Sequence, residues 1–430
     1  MRYAPLFFII GFLAFAFFLT VFGPVKYYEF DATRVMLYLG AICLSISIGY
    51  VIGVRVPMAR PYSSAAIART LYDRRLFNFM AALAFTGFIF TLITSLFFKG
   101  ISFDPTSIGK TYTQGYKNYV KDSGTYSLTF IMSSLMAAPS FLVTIWGLYY
   151  FKTFRIWTQA VILLVAIGLP VILTLSLGTQ ERTGYLMVFV SAMFLLKATS
   201  RGTVIKPRTI AIVVTIAIAG IAAMTTILSQ RYASIAINAL NINKNDLAVI
   251  HFDINHPLFR LVGPDLGFIL SELCEYLTNG IVGLSYALHT PFTWSFMFGA
   301  SYPISVIGER LFGLPFAYLH TYPYLAAMES GWGEQRWYTI FSWFASDFTF
   351  FGTIPLFGFF AFAYARCWLE GIRFENPFAI LLFCELSLGV VMMTANNQLM
   401  ASPGSLATLG VVVFLYVRYR RRYNRRLVVA

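Results

Sequence analysis

Predominantly apolar runs of about 20 residues, the length needed to cross a bilayer core, recur ten times along the chain, at roughly 5–22, 34–54, 77–98, 127–150, 156–177, 184–200, 209–228, 352–372, 377–397 and 402–419. The pattern predicts an all-α, polytopic inner-membrane protein. One long segment of mixed polar and apolar character, Ser229 to Gly352, interrupts the runs, and a loop of that length inside a membrane protein is expected to be functional. The expected division is a seven-helix transmembrane part over 1–228, a large loop over 229–351, and three further spans with a basic tail over 352–430. Within the loop, Tyr276–His289 and Phe292–Gly299 are aromatic and amphipathic, and read as short helices on the membrane face, where Tyr and Trp favour the headgroup level.

Composition excludes a soluble class, with 58% hydrophobic and 12% charged residues and a mean hydropathy of +0.70. A net charge of +14 raises the question of nucleic acid, and the placement of the charge answers it. Connections after even-numbered spans, with Arg2 and the tail Arg418–Arg426, hold 20 of the 32 basic residues, which marks that face and both termini as cytoplasmic. The long loop, with five basic and nine acidic residues, faces outward. The basic excess is therefore a topology signal with some attraction to inner-leaflet lipid, and no nucleic-acid partner is expected. Cys43, Cys274, Cys367 and Cys384 show no paired spacing, so neither a disulfide framework nor a zinc site is expected. The apolar run after Arg2 lacks a small-residue cleavage site and reads as a first span rather than a leader.

Several residues stand out for chemistry. Arg182, in Thr179-Gln-Glu-Arg-Thr-Gly-Tyr-Leu186, falls between two spans with almost no loop. It is either neutralised by Glu181 or binds an anion, combining a bidentate fork with a helix N-terminus. Arg231, Arg260, Arg310 and Arg336 are the other loop arginines, a set suited to a phosphate or pyrophosphate head. Arg310 and Arg336 lie close to acids and also fit surface pairing, whereas Arg260 lies in an apolar context. His251 and His256 flank Asp253, but Pro257 disfavours helical pairing and no third ligand follows, so no metal is expected. His320, amid aromatics, is either a buried hydrogen-bonded side chain or a general base. Asp347 lies in an aromatic run just before a span, where desolvation favours a neutral acid unless a cation is close; it is a candidate base or arginine partner. Glu385 is the other deeply placed acid, most simply bonded between helices.

With these residues in view, the chain resembles a Wzy-type O-antigen polymerase, an oligosaccharide repeat-unit polymerase of the O-antigen ligase/polymerase superfamily. Arg182-Thr-Gly-Tyr-Leu186 is similar to the arginine turn of that superfamily. Tyr276–Gly299 resembles a signature of one polymerase subgroup. Asp347-Phe-Thr-Phe-Phe-Gly352 is similar to its aspartate-x-glycine-x-x-glycine motif, with Thr349 where glycine is usual. The resemblance covers the C-terminal half in motifs and the N-terminal half in hydropathy.

The resemblance implies a metal-independent, cofactor-free glycosyltransferase at the periplasmic face of the bacterial inner membrane. A glycan on undecaprenyl pyrophosphate passes from its anomeric carbon to the non-reducing sugar of a second lipid-linked repeat unit, so donor and acceptor are both undecaprenyl-pyrophosphate-linked glycans. A Wzz-type chain-length regulator is the implied protein partner. Arg182, Arg260, Arg310, Arg336 and Arg231 are then expected to hold pyrophosphate, and His320 or Asp347 to take the acceptor proton. A ligase, with a histidine about eleven residues before a glycine, is the nearest alternative. His320 and Gly331 meet that spacing but lie upstream of the aspartate motif, which favours the polymerase. A flippase for the same lipid-linked units is the alternative from another class, set back by few charges in the spans and no repeated halves.

Overall fold

The computed structural model of the chain describes residues 2–57, 74–96, 128–177, 181–200, 215, 222, 225–226, 229–230, 250–314, 316–332 and 337–429. It divides into two compact units, one of Met1–Pro57, Ile237–Arg366 and Gly389–Ser402, the other of Met58–Ala236, Cys367–Leu388 and Pro403–Ala430. Each is described by itself.

The first unit is built on α1 (Ala4–Phe22), α2 (Ala32–Arg55) and the long α13 (Ile340–Phe374) as far as Arg366. Helix α1 is apolar all round. Ile9, Leu13 and Ala16 are buried while Phe7, Phe15, Phe18 and Phe22 face outward, an arrangement stable only where the surroundings are apolar too. Asp31 starts α2 by accepting the N–H of Arg34 (2.9 Å). Helices α2 and α13 approach backbone to backbone through Ser45, Gly49 and Gly53. A Cβ added at Gly49 would overlap Gly358 O, one at Gly53 would lie 2.8 Å from Phe362 O, and Ser45 Oγ donates to Ile354 O at 2.6 Å. Small residues every fourth position are how helices associate where lipid removes the hydrophobic drive.

Between these helices lies the predicted loop, which is more regular than expected. A two-stranded antiparallel pair, β1 (Val25–Tyr27) with β2 (Ile250–Phe252), matches Lys26 to His251. It is followed by α8 (Pro257–Val262), α9 (Pro264–Ala287), α10 (Tyr302–Phe312), α11 (Phe316–Leu319) and α12 (Tyr322–Ser330). The stretch from Tyr276 is therefore not a short surface helix but the second half of the 24-residue α9, buried from Gly280 through Ala287. Gly280 and Gly283 allow this, since a Cβ at either would collide with the backbone at Thr394 or Trp337. Phe292–Gly299 is likewise no helix but an irregular loop.

The second unit holds α3 (Arg74–Thr94), α4 (Leu128–Tyr149), α5 (Ile156–Leu163), α6 (Leu169–Leu177) and α7 (Glu181–Ser200), with most of α14 (Pro377–Met392) and with α15 (Pro403–Val429). A π-turn over Leu164–Gly168 joins α5 to α6 ahead of Pro170, whose missing N–H cannot continue the ladder. Lys197 Nζ donates to Tyr149 O (2.7 Å) and closes the end of α4.

Among the described residues, six helices are long and apolar enough to cross a membrane: Ala4–Phe22, Ala32–Arg55, Arg75–Thr94, Ile156–Leu175, Glu181–Ser200 and Ile340–Phe374. The protein is thus an α-helical, membrane-embedded one. Of the other four expected spans, three are shorter apolar helices, Ser134–Tyr149, Pro377–Met392 and Pro403–Arg418, and 209–228 lies mostly outside the described residues. The run 377–397 falls short because the helix ends at Met392, before the turn through Asn396 and Asn397.

Gly49→Ala should destabilise the first unit by about 1–3 kcal/mol, the usual cost of overpacking, while Gly40→Ala, which meets nothing within 4 Å, should not. Thermal unfolding of the two variants in detergent distinguishes a packed glycine face from a neutral one.

Candidate active site

The loop from Pro291 to Ala300 is the piece at which two of the predicted site residues of the first unit, His320 and Asp347, meet. Phe296 and Met297 both have positive φ, 57° and 67°, a conformation costly for residues with a Cβ and held only where the surroundings fix it. They are fixed by a buried carboxylate. Asp347, 8% exposed, ends the first part of α13 just before a break at Thr349 (φ 61°, ψ 165°). Its Oδ1 lies 2.5 Å from Ser295 Oγ, and Gly299 N–H donates to Oδ2 at 3.0 Å and to Oδ1 at 3.2 Å. Ser295 Oγ is also 2.8 Å from Ser346 O, so its one proton is shared between two acceptors. The turn thus presents the Gly299 N–H to the carboxylate beside the Ser295 hydroxyl.

His320 meets the same loop one residue earlier. At the end of α11, its Nδ1 lies 3.0 Å from Trp294 O. A carbonyl oxygen only accepts, so Nδ1 carries the proton and, in the neutral ring, Nε2 keeps its lone pair. The imidazole is partly exposed, with the rings of Phe316 and Phe296 at 5.3 Å and 6.2 Å. The structure thus brings His320 and Asp347 to consecutive loop residues, Trp294 and Ser295. Ser295 itself carried no sequence signal beyond membership of the motif stretch.

The remaining predicted residues are distributed. Arg260 is exposed on α8 and Arg310 is exposed in the last turn of α10. Arg231 and Arg336 lie outside the described residues. Arg182, in the second unit, occupies the first turn of α7, half-buried, with its guanidinium 5.6 Å from the centre of the Tyr185 ring. Glu181, one of the two alternatives for Arg182, accepts from Tyr185 Oη at 2.7 Å. Arg182 is also within electrostatic reach of the buried Glu385. A cation at a helix N-terminus opposes the macrodipole, so an anion there relieves both.

His256 and His289 are engaged in structure. His256 Nδ1 accepts from Leu258 N–H (3.2 Å) while Nε2 donates to Phe22 O (3.2 Å). His289 donates from Nδ1 to Ser285 O (2.9 Å) and places Nε2 3.4 Å from Asp31 Oδ2. Among the described residues no three His, Cys, Asp or Glu side chains gather as a metal site.

Two variants test whether Asp347 and the loop are one unit. Ser295→Ala removes a donor to a buried carboxyl group, expected to cost about 1–3 kcal/mol; Gly299→Ala puts a Cβ into Ser295 Oγ and Ser346 Cβ and should cost a similar amount. Both should lower the unfolding midpoint and broaden Trp294 emission, and unchanged midpoints would separate the loop from the acid. No protein-family model, no curated protein and no solved structure matches the chain.

Proposed function

We propose that the protein is a membrane glycosyltransferase that polymerises undecaprenyl-pyrophosphate-linked oligosaccharide repeat units into O-antigen or a similar surface polysaccharide, at the periplasmic face of the bacterial inner membrane. The observation that carries this reading is the fixed tautomer of His320. Trp294 O, on a loop that resembles the signature of such polymerases, holds Nδ1–H and leaves Nε2 of the partly exposed His320 imidazole as the proton acceptor.

In the proposed reaction the acceptor sugar hydroxyl attacks the anomeric carbon of the donor glycan. The new C–O bond forms as the bond from that carbon to the pyrophosphate oxygen breaks, and the electron pair leaves with the undecaprenyl pyrophosphate. His320 Nε2 takes the hydroxyl proton. Asp347 is assigned a positioning role, because its oxygens are already engaged by Ser295 Oγ and Gly299 N–H. Arg182, half-buried in the first turn of α7, is assigned separately to binding of a pyrophosphate group. Most of the rate comes from bringing two membrane-anchored substrates together.

The test uses the full chain in nanodiscs with authentic lipid-linked repeat units, read as a ladder of products. His320→Ala should slow ladder formation about 100- to 10,000-fold, the range for loss of a general base. Arg182→Ala should weaken capture of the pyrophosphate-linked substrate and slow ladder formation at limiting substrate. Asp347→Asn, which keeps shape and one acceptor, should be milder than either. If wild type builds no ladder but carries the lipid-linked unit across a bilayer, the transferase reading fails and a flippase replaces it.

A further inference from the structure

Two helix ends in the first unit repeat one four-residue pattern: Arg260-Leu-Val-Gly263 closes α8 and Arg310-Leu-Phe-Gly313 closes α10. In each the glycine has positive φ, 84° and 64°, so the helix stops there and the preceding apolar residues project from its last turn. They project into the open. Leu261 is 82% exposed, Leu311 74% and Phe312 64%, with Ile254 and Leu266 also exposed around the first end. Both arginines are exposed beside them.

Neither helix is long enough to cross a bilayer. Both hang from places where the lipid-facing surface of a spanning helix runs out. Helix α8 is tied to the end of α1, where His256 Nε2 donates to Phe22 O (3.2 Å) and Asp253 N–H to Pro24 O (2.8 Å); Phe18 and Phe22 there face outward. Helix α10 follows the loop pinned at Asp347, four residues before Phe351, which is 85% exposed on α13. The two places lie at the same end of the unit, since Tyr38 near the start of α2 bonds Thr353 (2.6 Å) and stacks edge-on with Phe350.

We infer that these two ends are membrane-interface anchors, with Leu261, Leu311 and Phe312 inserted at the headgroup–acyl boundary and Arg260 and Arg310 reaching up to lipid phosphates. An arginine beside bare leucine is the composition that such a boundary accommodates: the apolar group leaves water while the guanidinium stays with the phosphates. The inference is independent of the proposed reaction. It assigns Arg260 and Arg310 to the phosphates of the bilayer instead of a substrate pyrophosphate.

The test uses the full chain in phosphatidylcholine–phosphatidylglycerol vesicles containing no lipid-linked glycan. An environment-sensitive fluorophore is attached at Leu261→Cys or Leu311→Cys, with the partly accessible Cys43 and Cys274 replaced by alanine. Blue-shifted emission at both positions, quenched by lipid brominated near the headgroup and protected from iodide, is the expected result. Arg260→Glu and Arg310→Glu should each weaken the bromolipid quenching at the neighbouring label, and no change would remove the phosphates from the assignment. Iodide quenching at either position, or protection from both quenchers as under a covering protein, overturns the anchor.

Discussion

The break in α13 at Thr349 is the feature on which the first unit depends. A straight helix of 35 residues would run about 52 Å, far beyond a hydrocarbon core of about 30 Å. The chain therefore has to leave helical geometry somewhere, and in lipid every backbone group freed by doing so would lack a partner. It does so inside protein. Ile340, Phe341, Ser342, Ala345 and Ser346 before the break are buried, whereas Phe351 and Phe359 beyond it face outward. Thr349 Oγ1 accepts from Gly352 N–H at 3.3 Å and so caps the second part of the helix as an N-terminal threonine does.

The same break builds the site. Ser346 O, which a straight helix would pair with the N–H of Phe350, accepts from Ser295 N–H and lies within bonding distance of Ser295 Oγ. Asp347, one residue on, gathers Ser295 Oγ and the Gly299 N–H. Ser346 Oγ accepts from Tyr322 N–H at 2.9 Å, which fixes the start of α12 two residues after His320. His320 is thus held from both sides by one turn of α13, through Trp294 O in the loop and through Tyr322 in its own chain direction. The imidazole carries the orientation of the membrane helix although it shares no bond with it.

What the sequence made legible follows from how local each signal is. Helices α1, α2 and α7 read directly from their apolar runs, because twenty residues of hydropathy need no partner to be recognised. Helix α9 did not, because Glu272, Glu275 and Asn279 dilute a run whose far half is nonetheless buried. The β1–β2 pair was beyond reach, being three residues paired to three others more than 200 positions away. In the site, His320 and Asp347 were singled out by type and context, and the aromatic stretch Phe292–Gly299 by resemblance. Their meeting was not readable, since it depends on positive φ at Phe296 and Met297, residues with no intrinsic preference for it. The regular spacing of Ser45, Gly49 and Gly53, by contrast, lay in plain view within one predicted span and acquires its meaning only with Gly358 opposite.

The φ of 61° and ψ of 165° at Thr349 lie in a region almost reserved for glycine. Holding a branched side chain there costs on the order of 1–3 kcal/mol, against about 1 kcal/mol regained from the cap its hydroxyl makes. The shortfall has to come from the neighbouring turn. The two donors on Asp347 and those on Ser346 O are the bonds able to supply it, and all run to the loop of Ser295. Break and loop therefore stabilise each other: without the loop the threonine would be driven back toward helix, and without the break Asp347 would not face the loop at all.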